Sequence, residues 1–284
     1  MAPRSIRRTS AWAGAALAAL LLVSSCSAST NDTSPTTTAA TAAGTTPPGT
    51  VSSERPLRIL VTNDDGYDAA GIDAVVTGLQ TLPDVEVVVV APATNQSGTG
   101  GQTTGGALAV AEGATASGHP ATIVTGFPAD SVVWALDEGG LAERPDLVIS
   151  GINSGQNIGP LTELSGTVGA ARAAGSRGIP ALAASQGIAA DPDWPSSVAL
   201  VLEWVTEHRA ALLAGSESTP APVENLNVPT CTTGTLRDLV DVPVATDAAG
   251  RDLLASDCAG TPPPPTDDIG AFISGYPSLS VLTV

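Results

Sequence analysis

The stretch "LRILVTNDDGYDAAGIDAVVTGLQTL", residues 57–82, decides the fold. It opens as a short apolar run, stops at the turn-forming Asp-Asp-Gly, and continues as a helical-looking segment, which together make a β–turn–α unit. The pattern recurs along the chain. "VEVVVVAPA" (residues 85–93) is a second apolar strand, followed by a Gly-rich loop at residues 95–106. "PDLVISGIN" (residues 145–153) is a third, leading through "SGQNIGPLTELSG" into a helix of small residues, "TVGAARAAGSRG". "IPALAAS" from residue 179 is a fourth. Strands that lack polar alternation and are separated by helical segments belong to a buried, mostly parallel sheet with both faces covered. The expected fold is therefore α/β, Rossmann-like. A long amphipathic surface helix is expected from residue 193. The cysteine-bounded stretch from Cys231 predicts a C-terminal hairpin extension stapled by its cysteines, ahead of a rigid "TPPPPTDD" loop and a last strand near residues 279–283. No internal repeat is present.

The 284 residues suffice for one such domain plus non-globular sequence at one end. Hydrophobic residues make up 43% but aromatics only 3%, so the core is packed from Val, Leu, Ile and Ala. The net charge of −17, from 28 acidic and 11 basic residues with no Lys, disfavours a nucleic-acid polymer as partner. A small phosphate ester stays possible, since a metal and helix N-termini offset repulsion locally.

Arg4, Arg7 and Arg8 precede an apolar run at residues 11–23 that ends in "SSC". A basic segment followed by an apolar run too short to span a bilayer comfortably reads as a signal peptide, residues 1–25. Val23-Ser24-Ser25-Cys26 has the pattern of a lipobox, which would make Cys26 the lipidated first residue of an exported protein held at the outer face of the membrane. Contact with the membrane would be through that anchor alone. Arg7-Arg8 also permits a twin-arginine reading, although the residues after it match that signal poorly. Residues 26–54, rich in Ser, Thr, Pro and Ala, read as a flexible tether, with the folded domain at residues 55–284. Outside the cytoplasm the two remaining cysteines, Cys231 and Cys258, are expected to pair.

In an open parallel sheet, ligands bind beyond the carboxyl ends of the strands. Three polar clusters fall there: Asn63-Asp64-Asp65-Gly66, Asn95-Gln96-Ser97-Gly98, and Ser150-Gly151-Ile152-Asn153. Adjacent carboxylates repel, and a cation sharing their oxygens with neutral oxygens from Ser97 and Asn153 relieves the repulsion. An all-oxygen set favours Mg²⁺, Mn²⁺ or Ca²⁺ over zinc. The plainer reading has Asp64 or Asp65 capping the next helix. "SGTVGAA" from Ser165 offers a helix N-terminus suited to phosphate. The Gly-rich loop is no dinucleotide fingerprint, because Thr103 stands where the third Gly would be. His119 and His208 read as surface residues, and no G-x-S-x-G elbow occurs, so metal-activated water fits better than a serine triad.

"ILVTNDDGYDAAGI", "VVVVAPATNQSG", "GFPADSVVWAL", "PDLVISGINSGQNIG", "SGTVGAA", "LNVP" and "TDDIGAFISGYPSLSVLTV" resemble, in order, the motifs of the SurE (survival protein E) family. The resemblance implies a Rossmann-like, divalent-metal-dependent phosphatase, a 5′- or 3′-nucleotidase acting on nucleoside monophosphates, with Mg²⁺ or Mn²⁺ as cofactor. It implies Asp64, Asp65, Ser97 and Asn153 as metal ligands, with Asp64 and Asp65 also catalytic. Asn95, Asn157, Ser165, Gly166 and Thr167 would border the phosphate pocket. A homodimer or homotetramer is a further implication. Leu164 replaces a usual aromatic residue and Ala173 a usual acidic one, and typical members lack a signal peptide. Other phosphomonoesters, polyphosphate, or binding without turnover are the competing expectations.

Overall fold

The computed structural model describes residues 55–216 and 218–284. The expected signal peptide, Cys26 and the tether lie outside the described residues.

The first strand, β1 (Leu57–Thr62), leads through the Asp-Asp-Gly turn into α1 (Ala70–Leu79). Then follow β2 (Val85–Pro92), β3 (Ala109–Ala114), β4 (Pro120–Thr125), α2 (Pro128–Asp137) and β5 (Leu147–Ser154). A 3₁₀ turn at Gly159–Glu163 precedes α3 (Gly166–Gly175), β6 (Ala181–Gln186), α4 (Trp194–Ala214) and β7 (Val223–Val228). The chain ends with β8 (Val240–Asp241), α5 (Asp268–Ile273) and β9 (Ser278–Leu282).

The strands form one sheet in the order β3-β4-β2-β1-β5-β6-β7-β9-β8. β4 through β7 in that order are parallel, whereas β3 and β9 run antiparallel to β4 and β7. Alternation along β1 divides its side chains between two cores. Ile59 and Val61 face Ile72, Val75 and Val76 of α1 and Val201 and Val205 of α4. Leu60 faces Val132 of α2 and Val168 and Ala171 of α3. Helices thus cover both faces, as a sheet of continuous apolar strands requires. Among the described residues no helix is long and apolar enough to cross a membrane.

The apolar runs at residues 57–63, 85–93, 145–153 and 179–185 are all strands, and the helix expected from residue 193 is α4. The hairpin expected in the C-terminal extension does not form. β8 is only two residues long and pairs parallel to β9, and the cysteine-bounded segment holds a single bridge, between Gly234 and Cys258. Its sequence offers one alternating run, Val240-Asp241-Val242-Pro243-Val244, and no second run able to pair with it. Cys231 and Cys258 are joined as a disulfide, with Cα atoms 5.7 Å apart, so a cross-link holds this segment where a ladder does not.

Candidate active site

β1 lies at the point where strand order reverses, with β2 on one side and β5 on the other. The crevice beyond the carboxyl ends of these three strands is where an open α/β sheet binds its ligands. All three polar clusters are there.

The turn after β1 is closed by Asn63, which is fully buried. Its Nδ2 donates to the Gly66 carbonyl at 2.8 Å and its Oδ1 accepts from the Gly66 N–H at 3.3 Å. Gly66 adopts φ +111°, a conformation that a side chain would strain. The tight turn projects Asp64 and Asp65 forward. Neither caps α1, whose N-cap is Ala69 with no side-chain hydrogen bond.

Each carboxylate is held from a different direction. Asp64 is 2% exposed and accepts a 2.6 Å hydrogen bond at Oδ1 from the Thr167 hydroxyl, at the start of α3. Asp65 accepts from the Ser154 N–H at 2.8 Å and from Asn95 Nδ2 at 3.0 Å. Asn95 Oδ1 in turn accepts from the Ser97 N–H at 2.9 Å, and the Gln96 N–H donates to the Asp64 carbonyl at 2.7 Å. Asn95 therefore links Asp65 to the residue that carries the Ser97 hydroxyl. Asn153 uses Nδ2 on the Gly155 carbonyl at 2.6 Å, which leaves its Oδ1 for a ligand.

The front of α3 closes the other side. Ser165 is its N-cap, accepting from the Val168 N–H. A Cβ at Gly166 would come within 2.8 Å of the Asp64 Cβ, so the bare backbone lets Asp64 sit against the positive end of the helix. A Cβ at Gly169 would come 2.2 Å from the Gly100 carbonyl, and the Gly100 N–H donates to the Leu164 carbonyl. The Gly-rich loop is thereby packed onto α3.

The structure thus places Asp64, Asp65, Ser97, Asn153, Asn95, Ser165, Gly166 and Thr167 on one rim. Two features add to the expectation. Asn95 and Thr167, expected beside the phosphate, also hold Asp65 and Asp64 through their side chains. Asn157 is buried beneath the rim, where Ser185, Asn225 and Asn227 surround it. Those last three were not anticipated, although "VENLNV" carries the signal, two amides that share the face of Val223 while Leu226 and Val228 share the other. His119 pairs with Gln80, and His208 stacks on Trp204 with ring centroids 4.3 Å apart, so neither serves the rim.

Burial pushes the Asp64 carboxyl up to about 6 from an ordinary 3.8; the Thr167 hydrogen bond opposes this and the charge of Asp65 adds to it. Asp65 is also raised, again chiefly by burial, against the Ser154 and Asn95 hydrogen bonds. None of the arginines from Arg55 onward bonds either carboxylate. They pair instead with Asp146, Glu86, Glu143, Glu163, Asp137 and Asp267 or with backbone carbonyls. Among the described residues no three His, Cys, Asp or Glu cluster as a metal site, so any cation here takes two carboxylates and neutral oxygens.

A stability test follows from the raised Asp64. Between pH 3.8 and about 6 the folded chain keeps a proton that the unfolded chain has lost. The stability this group contributes is complete below pH 3.8 and is lost as pH rises through 6. Two units correspond to roughly 3 kcal/mol. In chelator, Asp64→Asn should therefore gain stability over the parent chain as pH rises from 4 to 7. Urea unfolding of both across that range checks it, and a constant difference counts against the assignment.

The model of the family described as "Survival protein SurE" matches residues 59–249. The chain belongs to the SurE family. It is 37% identical to the 5′-nucleotidase SurE of Chloroflexus aggregans over 240 residues, which cover 78% of this chain and 91% of that protein. It is 43% identical to the 5′-nucleotidase SurE of Sorangium cellulosum over 180 residues, 62% of this chain and 65% of that one. The crystal structure of the SurE protein from Aquifex aeolicus superposes with a TM-score of 0.63 at 26% identity, covering 79% of this chain and 92% of that one. On the SurE frame the two departures separate. Leu164, 59% exposed, stands at the rim just before the Ser165 cap. Ala173 lies seven residues beyond Gly166, about 10 Å along α3, and packs into the core between α2 and α3. Its substitution bears on packing rather than on the pocket.

Proposed function

We propose that the protein hydrolyses nucleoside monophosphates, with a divalent cation, Mg²⁺ or Mn²⁺, held by Asp64, Asp65, Ser97 and Asn153. That it is a hydrolase of the 5′-nucleotidase type follows from its family. One observation carries the cation: two carboxylates, Asp64 almost wholly buried, are held by the loops that bear Ser97 and Asn153, through Asn95 and the Ser154 N–H, and among the described residues no arginine pairs with either. Oxygen donors of this kind suit a hard cation. When bound, such an ion polarises a phosphoryl oxygen and makes a water acidic enough to attack. The chain's own part is positioning. Asn95 and the Ser154 N–H fix Asp65, Thr167 fixes Asp64, and the N-terminus of α3 faces the pocket beside Asp64 with its positive end. Among the described residues no basic side chain bonds the rim carboxylates, so the cation and α3 are what offset the phosphate charge.

A panel of adenosine 5′- and 3′-monophosphate, glucose 6-phosphate and polyphosphate tests the substrate. The nucleotides should give the highest kcat/KM, and a preference for sugar phosphate or polyphosphate would overturn this choice while leaving a phosphatase.

The mature chain would begin at a lipidated Cys26 outside the cytoplasmic membrane, on the support of Arg4, Arg7 and Arg8, the apolar residues 11–23 and the Val23-Ser24-Ser25-Cys26 sequence. Cys26→Ser should abolish palmitate labelling and move the protein from the membrane to the soluble fraction. Unchanged labelling would contradict the anchor.

A further inference from the structure

β7 sends Leu226 and Val228 into the core under α1 and α4, and Val223 into the opposite core under α3. Asn225 and Asn227 occupy the face of Val223, where apolar side chains would serve a core best, and both are 0% exposed. Buried amides cost stability unless they are hydrogen-bonded. Their partner is a single residue. The Asn157 N–H donates to Asn227 Oδ1 at 2.7 Å, and the Asn157 carbonyl accepts from Asn225 Nδ2 at 2.8 Å and Asn227 Nδ2 at 3.2 Å. The Asn157 side chain donates from Nδ2 to the Ser185 hydroxyl on β6 at 2.8 Å.

The residues on either side of Asn157 are fixed too. Gln156 donates to the Leu253 carbonyl and accepts from the Ile188 N–H, and the Gly159 N–H donates to the buried carboxylate of Asp268. The irregular backbone between β5 and α3 would otherwise leave buried polar groups unsatisfied. The arrangement carries a cost that sheet formation does not explain. Asn225 Oδ1 is buried with no hydrogen-bond partner, while the β6–β7 and β7–β9 ladders form through backbone atoms alone.

We infer that Asn225, Asn227 and Ser185 are positioning residues, a three-sided lock that sets the place and the side-chain orientation of Asn157 at the floor of the site. Their effect on turnover rests on the phosphatase reading above. The lock itself is a statement about the loop and has its own readout.

The test compares the parent chain with Asn227→Ala and Ser185→Ala, the second of which leaves every backbone bond of Asn157 in place. Deuterium exchange is followed in the peptide spanning residues 154–164. The kcat and KM for p-nitrophenyl phosphate and the dissociation constant for Mn²⁺ are measured in parallel. Asn227→Ala should speed exchange in that peptide at least about tenfold, leave β1 protected, and lower kcat/KM by about 10- to 100-fold, the scale of a 1 Å misplacement. Mn²⁺ affinity should stay within about threefold, because the expected ligands all precede Asn157 and the Ser154 and Gly155 contacts that hold Asp65 and Asn153 sit at the end of β5, which the β6 ladder retains. Ser185→Ala should lower kcat/KM about fivefold without changing exchange, since it frees only the side chain. Exchange and kcat/KM within twofold of the parent in folded Asn227→Ala would overturn the lock, as would faster exchange throughout the sheet with kcat/KM unchanged. Should Asn227→Ala fail to fold, a Ser185→Ala chain with parental kcat/KM overturns the orientation claim by itself. A parent chain with no phosphatase activity would defeat the phosphatase reading, and the exchange result would still decide the lock.

Discussion

Asp65→Asn is expected to leave the chain folded and to lower kcat on a nucleoside monophosphate by about a thousandfold or more. Losing the interactions of a bound cation costs several kcal/mol in the transition state, and each 1.36 kcal/mol is tenfold in rate. Asp65 has both oxygens occupied, Oδ1 by Asn95 and Oδ2 by the Ser154 N–H. An amide there must set its NH₂ against one of those two donors, so the change removes a charge and also breaks a contact. If Asn95 yields, Ser97 loses its anchor, because the other end of the Asn95 amide receives the Ser97 N–H. One substitution therefore disturbs two expected ligand positions, Asp65 and Ser97, at no cost to the core. Steady-state kinetics with Mn²⁺, beside thermal melts, checks this; a variant that retains more than a tenth of the parental rate shows that the carboxylate is not central.

Gly166→Ala should be the second most damaging change, lowering kcat/KM about a hundredfold, although it adds one methyl group. That methyl would meet the Asp64 Cβ at 2.8 Å, Pro128 Cγ at 2.9 Å and Asp64 Oδ2 at 3.1 Å. None of these is the end of a flexible chain that can swing away. Asp64 is pinned by the Asn63 turn and by Thr167, and Pro128 is a rigid ring at the start of α2. Either α3 retreats, stretching the 2.6 Å bond from Thr167, or Asp64 turns out of the pocket. Overpacking of this kind costs about 1–3 kcal/mol, so the variant should melt a few degrees lower and remain folded. Gly101→Ala is the control, since a Cβ there meets nothing within 4 Å. Kinetics and melts of the two variants side by side decide the matter, and equal activity would refute the close packing of α3 on Asp64.

Much of this was legible in the sequence, and the reasons are physical. β1, β2, β5 and β6 are buried on both faces over most of their length, so they read as apolar runs interrupted near the start only by Arg58 in β1 and Glu86 in β2, and Asp-Asp-Gly marks where the first one stops. β3 and β4 were illegible because β3, at the sheet edge, buries almost nothing and carries Glu112 and Gly113 where a strand pattern would show apolar residues. The metal-ligand candidates could be picked from strand ends because topology brings those ends together whatever the loops do. What holds them could not. That Asn95 serves Asp65, that Thr167 serves Asp64, and that Asn225 and Asn227 serve Asn157 depend on contacts between residues 30 to 103 positions apart in the chain. The C-terminal segment misled for a related reason. Two cysteines bracketing the segment suggested a hairpin, but a cross-link constrains chain ends without supplying the second strand a ladder needs, and β8 pairs with β9 instead.

The central claim is that Asp64 and Asp65 hold a cation that a phosphomonoesterase requires. Phosphate release from adenosine 5′-monophosphate by the chain starting at Arg55 tests it most directly, measured with Mn²⁺, after chelation, and after Mn²⁺ is restored. Chelation should abolish hydrolysis and added Mn²⁺ should recover it. Hydrolysis that persists in chelator, or none at all while calorimetry records bound Mn²⁺, would contradict it.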